Sequence, residues 1–265
     1  MKKENSMKDV NILIENGVNV KKSLELFGDM ETYNSTLEVF LQEVEPKLKL
    51  IQNYKEIGDM ANYAIQVHSL KSDAKYFGFD VLAEIAYKHE LESKANNMYY
   101  VTENYEILIK EANRIINLVK KYMGRKYEET SLKEEVVLKK DKAILVVDDS
   151  NLIRNFILKI FKDDFDVLIA NDGKEALDLI NSDERERIKA ILLDLNMPNV
   201  NGFEVLDYFQ GKDLFKKFPV SIITGVDDKA SIDKAFKYPI VDMLTKPFNE
   251  RDVKTILEKT LNHLL

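Results

Sequence analysis

Between about Asn19 and Met123 the apolar residues return every three or four positions, as in Leu37, Phe40, Leu41, Val44, Leu48 and Ile51, and alternating segments are almost lacking. That is the period of a helix with one face turned to a core. The pattern is interrupted near Gly28, Gly58, Gly78 and Asn96 to Asn97, which predicts a short leading helix and four longer ones packed as an all-α bundle. Positions 124–141 are mostly Lys, Arg and Glu and read as a charged linker, with a helical turn around Leu132 to Leu138.

From residue 142 the period changes. Short runs apolar on both faces, Ala143 to Val147, Val167 to Ala170, Ala190 to Leu193, Val220 to Ile223 and Ile240 to Leu244, suit buried parallel strands. Between and after them lie amphipathic segments at Asn151 to Lys162, Lys174 to Ser182, Phe203 to Lys212, Lys229 to Lys237 and Glu250 to His263. Five βα units predict a doubly wound α/β domain whose chemistry sits outside the carboxyl ends of the strands. The expected organisation is therefore a helical domain over 17–123, the linker over 124–141 and an α/β domain over 142–265.

Composition narrows the chemistry. The 265 residues carry 46 acidic and 39 basic side chains, a net charge of -7 that works against non-specific nucleic-acid binding. The absence of cysteine excludes thiolate sites, and three histidines leave little scope for a histidine-rich metal cluster. Met1 to Val10 lacks the apolar stretch of a secretory signal, and no run approaches the roughly 20 apolar residues of a membrane span, so a cytoplasmic protein is expected.

Applied to the strand ends, the α/β rule collects Asp148 and Asp149 after the first strand, Asp194 after the third, Thr224 after the fourth and Lys246 after the fifth. Three carboxylates held together repel one another, and a hard divalent cation such as Mg2+ relieves that repulsion. A magnesium ion beside a lysine and a threonine hydroxyl is equipment for stabilising a phosphoryl group in transfer, with one carboxylate as nucleophile.

The segments Ile144 to Ser150, Leu193 to Pro198 with Gly202, Thr224-Gly225 and Lys246-Pro247-Phe248 resemble the response-regulator receiver domain, including separations of 45 residues from Asp149 to Asp194, 30 on to Thr224 and 22 on to Lys246. The resemblance covers Lys142 to Leu265 and implies a flavodoxin-like sheet of strand order 2-1-3-4-5. It implies Asp194 as phosphoacceptor, Asp149 as a direct magnesium ligand, Asp148 as a mostly water-mediated one and the backbone carbonyl of Asn196 as another. Thr224 would bond a phosphoryl oxygen and Lys246 would pair with the phosphate. Met243 stands where the family usually has an aromatic switch residue, and Tyr238-Pro239 replaces the usual Gly-Ala. Both departures bear on the coupled movement of Thr224 and a ring, and leave the phosphorylation chemistry alone.

In the helical half the informative segment runs from Val67 to Gly78. At 100° per residue Tyr63, Leu70, Ala74 and Phe77 lie opposite His68, while Ala61, Ala64, Ser72 and Lys75 share its side and Lys71 flanks it. His68 is thus expected to face solvent over a low platform, with Lys71 and Lys75 able to neutralise an added phosphate. His68, Leu70, Lys71 and Gly78 resemble the signature of the histidine phosphotransfer (HPt) domain over Gly17 to Met123. The resemblance implies His68 as phosphohistidine and Lys71 as electrostatic support. Ser72 and Asp73 stand where Gly and Ser or Ala are commonest, and Asp73 is expected to tune partner choice. His89, His263 and the charged run Glu184 to Lys189 read as solvated surface.

Together these features predict a phosphorelay protein exchanging phosphoryl groups with a histidine kinase, or with other receiver or HPt proteins. With no glycine-rich nucleotide loop, it is expected not to be a self-sufficient kinase. Two alternatives stand beside this: a receiver-controlled binding module, and an aspartate-nucleophile phosphohydrolase. The phosphohydrolases place Asp-x-Asp after the first strand, where this chain has Asp148-Asp149-Ser150.

Overall fold

The computed structural model describes residues 8–124, 140–225 and 229–263, and the chain divides into two compact units, Met1–Val136 and Val137–Leu265. The expected linker lies outside the described residues apart from Gly124, Lys140 and Asp141.

The first unit is helical: α1 (Asn11–Ile14), α2 (Val20–Phe27), α3 (Met30–Ile57), α4 (Met60–Tyr76), α5 (Asp80–Lys94) and α6 (Met98–Met123). The breaks fall where the pattern is interrupted, and α1, with Leu13 buried, lies ahead of the expected start. Asp29, Asp59 and Asn97 cap α3, α4 and α6 by accepting from the amides of Thr32, Asn62 and Tyr100, which satisfies donors a helix start leaves open. Phe77 stands at the centre of an aromatic cluster, with ring centroids 5.3 Å from Phe40, 5.5 Å from Phe27, 5.6 Å from Phe79 and 6.0 Å from Tyr33.

Gly78 follows directly. Its φ is +69°, and a Cβ there would meet the Asn19 carbonyl oxygen at 2.4 Å, while its own carbonyl accepts from the Asn19 amide at 2.9 Å. Only glycine fits this close approach. Helix α4 packs against α3 and α5 and buries residues around nearly its whole circumference between Tyr63 and Tyr76.

The second unit contains β1 (Ala143–Val147), α7 (Asn151–Phe161), β2 (Asp166–Ala170), α8 (Gly173–Ile180), β3 (Ile188–Leu193), α9 (Gly202–Gly211), β4 (Val220–Thr224), α10 (Lys229–Ala235), β5 (Met243–Thr245) and α11 (Glu250–Asn262). The strands pair in parallel in the order β2-β1-β3-β4-β5, the flavodoxin-like order expected. β1 is buried on both faces, as its continuous apolar run requires. β5 begins three residues later than the apolar run predicts. It is an edge strand, half-buried, and the stretch before it joins the sheet through single bonds, Val241 N to Val220 O and Ile222 N to Asp242 O.

The charged run Glu184 to Lys189 is also more than surface. A 3-10 turn covers Asp183–Glu186, Ile188 opens β3 and is buried, and Arg187 pairs with Asp166 and Glu184 while its Nη2 donates to the Lys140 carbonyl at 2.6 Å. A guanidinium can hold several acceptors at once, which draws it inward.

Candidate functional site

In the α/β unit the sheet register brings the strand-end residues together. Val147 of β1 lies opposite Leu193 of β3, and the Asp194 amide donates to the Val147 carbonyl at 2.8 Å, so the residues that follow the two strands, Asp148 and Asp194, are neighbours. Ligand oxygens of Asp148, Asp149 and Asp194 all lie within 4.8 Å of one another. Thr224 ends β4, and its carbonyl accepts from the Lys246 amide at 2.8 Å. Lys246 follows β5 and puts its Nζ 2.7 Å from Asp148 Oδ2 and 2.5 Å from Asp194 Oδ2. The Lys246-Pro247 peptide is cis.

The electrostatics follow from crowding and burial. Burial raises the Asp148 carboxyl above its ordinary range, the carboxylates of Asp194 and Asp149 add to this, and Lys246 works against it. Burial alone would lower the Lys246 ammonium, but Asp148, Asp194 and Asp149 hold it well above its usual value. It is therefore a permanent cation facing three carboxylates. The surplus of negative charge on hard oxygen donors fits a divalent cation such as Mg2+.

Backbone contacts hold this edge in place. The Ser150 amide donates to Asp148 Oδ1 at 3.0 Å and the Asn196 amide to Asp194 Oδ1 at 3.2 Å. Buried Arg154 donates from Nη1 to the Asp148 carbonyl and from Nη2 to Asn151 Oδ1; the sequence reading passed it over. Gly202 opens α9 so close to the acceptor that a Cβ there would meet the Asp194 carbonyl oxygen at 2.2 Å. Met243, at the expected switch position, is half-buried against the core, and Tyr238 donates from its hydroxyl to Asp207 Oδ1 at 2.6 Å.

In the helical unit the outward-facing His68 expected from the wheel is corrected: the residue is 3% exposed. Its Nδ1 lies 2.7 Å from Glu90 Oε1 on α5. A wheel weighs only neighbours on one helix, and here α5 supplies a carboxylate that draws the imidazole toward it. Lys71 is likewise buried rather than poised for an incoming phosphate, with Nζ 2.7 Å from Glu90 Oε2, and Lys94 Nζ reaches Oε1 at 2.6 Å. Burial would raise the Glu90 carboxyl, but His68 and Lys71 hold it well below the usual carboxylate range. Glu90 is thus an anion, so the imidazole Nδ1–H donates and a neutral ring carries its lone pair on Nε2.

Two further expectations change. Asp73 is buried and paired with Lys47 of α3, whose Nζ also donates to Ser69 Oγ at 2.8 Å. His89, read as solvated, is 0% exposed, whereas His263 is exposed as expected. The sequence reading missed Glu90, although the buried stripe Leu82, Ala83, Ala86, Glu90 and Ser93 on α5 carries a charge at a core position, which is the signal that could have found it.

No described helix is long and apolar enough to cross a membrane. Residues 144–258 match the family model of the response regulator receiver domain. The chemotaxis protein CheY homolog of Campylobacter jejuni (strain 81-176) is 33% identical over 122 residues, covering 44% of this chain and 91% of that protein. The alkaline phosphatase synthesis transcriptional regulatory protein PhoP of Bacillus subtilis is 31% identical, over 46% of this chain and 49% of that one. Among solved structures, chemotaxis response regulator CheY4 of Vibrio cholerae is 28% identical with a TM-score of 0.41, over 46% of this chain and all, 100%, of that one. Through its α/β unit the chain belongs to the response regulator receiver family and to two-component signalling.

Proposed function

We propose that the chain is a phosphorelay protein in which His68 and Asp194 each carry a phosphoryl group, received from or passed to a histidine kinase or other receiver and HPt proteins. The observation that carries this reading is the 2.7 Å contact between His68 Nδ1 and Glu90 Oε1. It directs the lone pair of the neutral imidazole to Nε2. When Nε2 attacks an aspartyl phosphate, the N–P bond forms, the acyl O–P bond breaks and the carboxylate leaves. The ring then carries positive charge, which Glu90 is placed to stabilise. In the reverse direction a carboxylate oxygen of Asp194 attacks phosphorus, and the imidazole leaves neutral without needing a proton.

On the receiver side Asp148, Asp149 and the backbone carbonyl of Asn196 would hold Mg2+ together with Asp194. Bound there, the ion supplies positive charge to the oxygens of the transferring group. Lys246 adds a fixed ammonium, and the Thr224 hydroxyl bonds a phosphoryl oxygen. The chain acts as a phosphotransfer protein that draws on a partner's kinase activity.

One observation favours a second reading. His68 is 3% exposed, and a phosphohistidine must be reached by its partner. In that reading the receiver alone is phosphorylated and only alters partner affinity. Intact-mass analysis separates the two, with Mg2+ and acetyl phosphate for Asp194, phosphoramidate for His68, and Asp194→Ala and His68→Ala beside the wild type. The relay reading expects each variant to lose only its own label, acid-labile for His68 and hydroxylamine-sensitive for Asp194. Label on Asp194 with none on His68, even from a phosphorylated receiver, overturns it.

A further inference from the structure

His89 is buried among three helices without a place in the chemistry above, and its bonds define what it does. Its Nε2 lies 3.3 Å from the Asn104 carbonyl of α6, which can only accept, so Nε2 carries the proton. Its Nδ1 lies 2.7 Å from the Tyr63 hydroxyl of α4, which therefore donates. Burial keeps the Tyr63 phenol protonated and lowers the imidazole below its ordinary value, consistent with a neutral ring in one tautomer. The Tyr63 ring packs at 6.0 Å and the Tyr100 ring edge-on at 5.7 Å, centre to centre.

We infer that His89 is a positioning residue for His68: by bonding α5 to α4 and α6 at once, it sets the rotation and height of α5 that bring the adjacent Glu90 within 2.7 Å of His68 Nδ1. His89 and Glu90 are about 100° apart on one helix, so a rotation of α5 that loosens one contact displaces the other. A hydrogen bond to a ring nitrogen tolerates only a few tenths of an ångström of such movement. Glu90 in turn decides which imidazole nitrogen is nucleophilic. Sequence offers no sign of this link, because His89 acts through its chain neighbour Glu90 and through partners 26 and 15 residues away on other helices.

The inference rests on the reading of His68 as phosphoacceptor, and the experiment separates the two. In the full-length protein, His68 labelling by phosphoramidate is timed by intact mass, and the His68 tautomer is read from its ring 15N shifts. His89→Leu removes both bonds, Tyr63→Phe removes only the bond to Nδ1, and His89→Gln keeps a donor and an acceptor.

The expected results are labelling slowed about ten- to a hundredfold in His89→Leu, as sub-ångström misplacement of a catalytic geometry costs, together with loss of the Nδ1–H preference at His68. Tyr63→Phe shows a smaller loss in the same direction and His89→Gln a partial recovery. Adding Glu90→Gln to His89→Leu slows labelling no further than Glu90→Gln alone, since both act on one contact. Wild-type rates and unchanged His68 shifts in His89→Leu overturn the inference, as does full additivity with Glu90→Gln. Should His89→Leu not fold, Tyr63→Phe decides by the same two readouts. Should wild-type His68 take no label, the phosphoacceptor reading falls, while the 15N shifts still decide whether His89 places Glu90.

Discussion

Lys246 Nζ lies 2.5 Å from Asp194 Oδ2, so the segment after β5 is tied to the end of β3 across the intervening β4. Both groups are buried, and so is Asp148, which shares the ammonium at 2.7 Å. Removing one partner of such a cluster leaves uncompensated charge at a cost of about 3 to 5 kcal/mol. Lys246→Met is expected to lower receiver stability by about 3 kcal/mol in EDTA, and added Mg2+ to restore part of it by replacing the lost positive charge. Urea unfolding in both media measures this. A midpoint equal to wild type in EDTA would show that the ammonium is not what balances the carboxylates.

Two glycines on α9 differ in what surrounds them. A Cβ on Gly202 would meet backbone, the Asp194 carbonyl oxygen at 2.2 Å and Leu195 Cα at 2.7 Å, whereas at Gly211 nothing lies within 4 Å. Backbone cannot yield as a flexible side chain can, so Gly202→Ala should cost about 1 to 3 kcal/mol and slow acetyl-phosphate labelling of Asp194, whose main chain has to move. Gly211→Ala should be neutral or stabilising by up to about 1 kcal/mol, since alanine is the better helix former. Thermal melts and labelling rates of the pair test this; equal behaviour of the two variants contradicts the close-approach account.

These contrasts also explain how far the sequence could be read. Strands such as Ile144 to Val147 were legible because burial on both faces leaves an unbroken apolar run, and Asp148, Asp149, Asp194, Thr224 and Lys246 were legible as a group because parallel topology puts every strand end on one edge. The start of β5 was not, because an edge strand beside Pro239 is only half-buried and its neighbours carry the same hydropathy. The surroundings of His68 and Asp73 were not, because their partners Glu90 and Lys47 lie 22 and 26 residues away on other helices. Helical periodicity tells which residues share a face and is silent on which side chain the next helix brings against it.

Arg187 shows the same long-range pairing at the opposite edge of the sheet, where it joins Asp166 of β2, Glu184 and the Lys140 carbonyl. The guanidinium is partly exposed, which discounts its worth, so Arg187→Lys is expected to lower the urea midpoint only modestly. Neighbouring Lys189 is exposed, and Lys189→Ala should shift stability by less than about 0.5 kcal/mol. Urea midpoints of the two variants give the comparison, and an Arg187→Lys protein as stable as Lys189→Ala would reduce Arg187 to surface charge.

The helical unit should lose stability in two steps as pH falls. Burial lowers His89 from its ordinary 6.5, and the His68 and Lys71 contacts, against burial, lower Glu90 from 4.5. A group whose folded pKa is depressed binds its proton more readily when the chain is unfolded, so each contributes stability that is complete above its unfolded value and lost as pH drops through the folded one. His89 therefore acts first, below about pH 6.5, and Glu90 below about pH 4.5. Hydrogen exchange of α4 and α5 peptides, corrected for intrinsic rates, follows this without interference from the receiver. His89→Gln should flatten the upper step and leave the lower one. Glu90→Gln should abolish the lower step and, by leaving the buried Lys71 ammonium unpaired, cost about 3 kcal/mol at neutral pH. Wild-type protection that does not change between about pH 7 and pH 5 would mean that His89 does not titrate differently on folding, and none lost between about pH 5 and pH 3 would mean the same of Glu90.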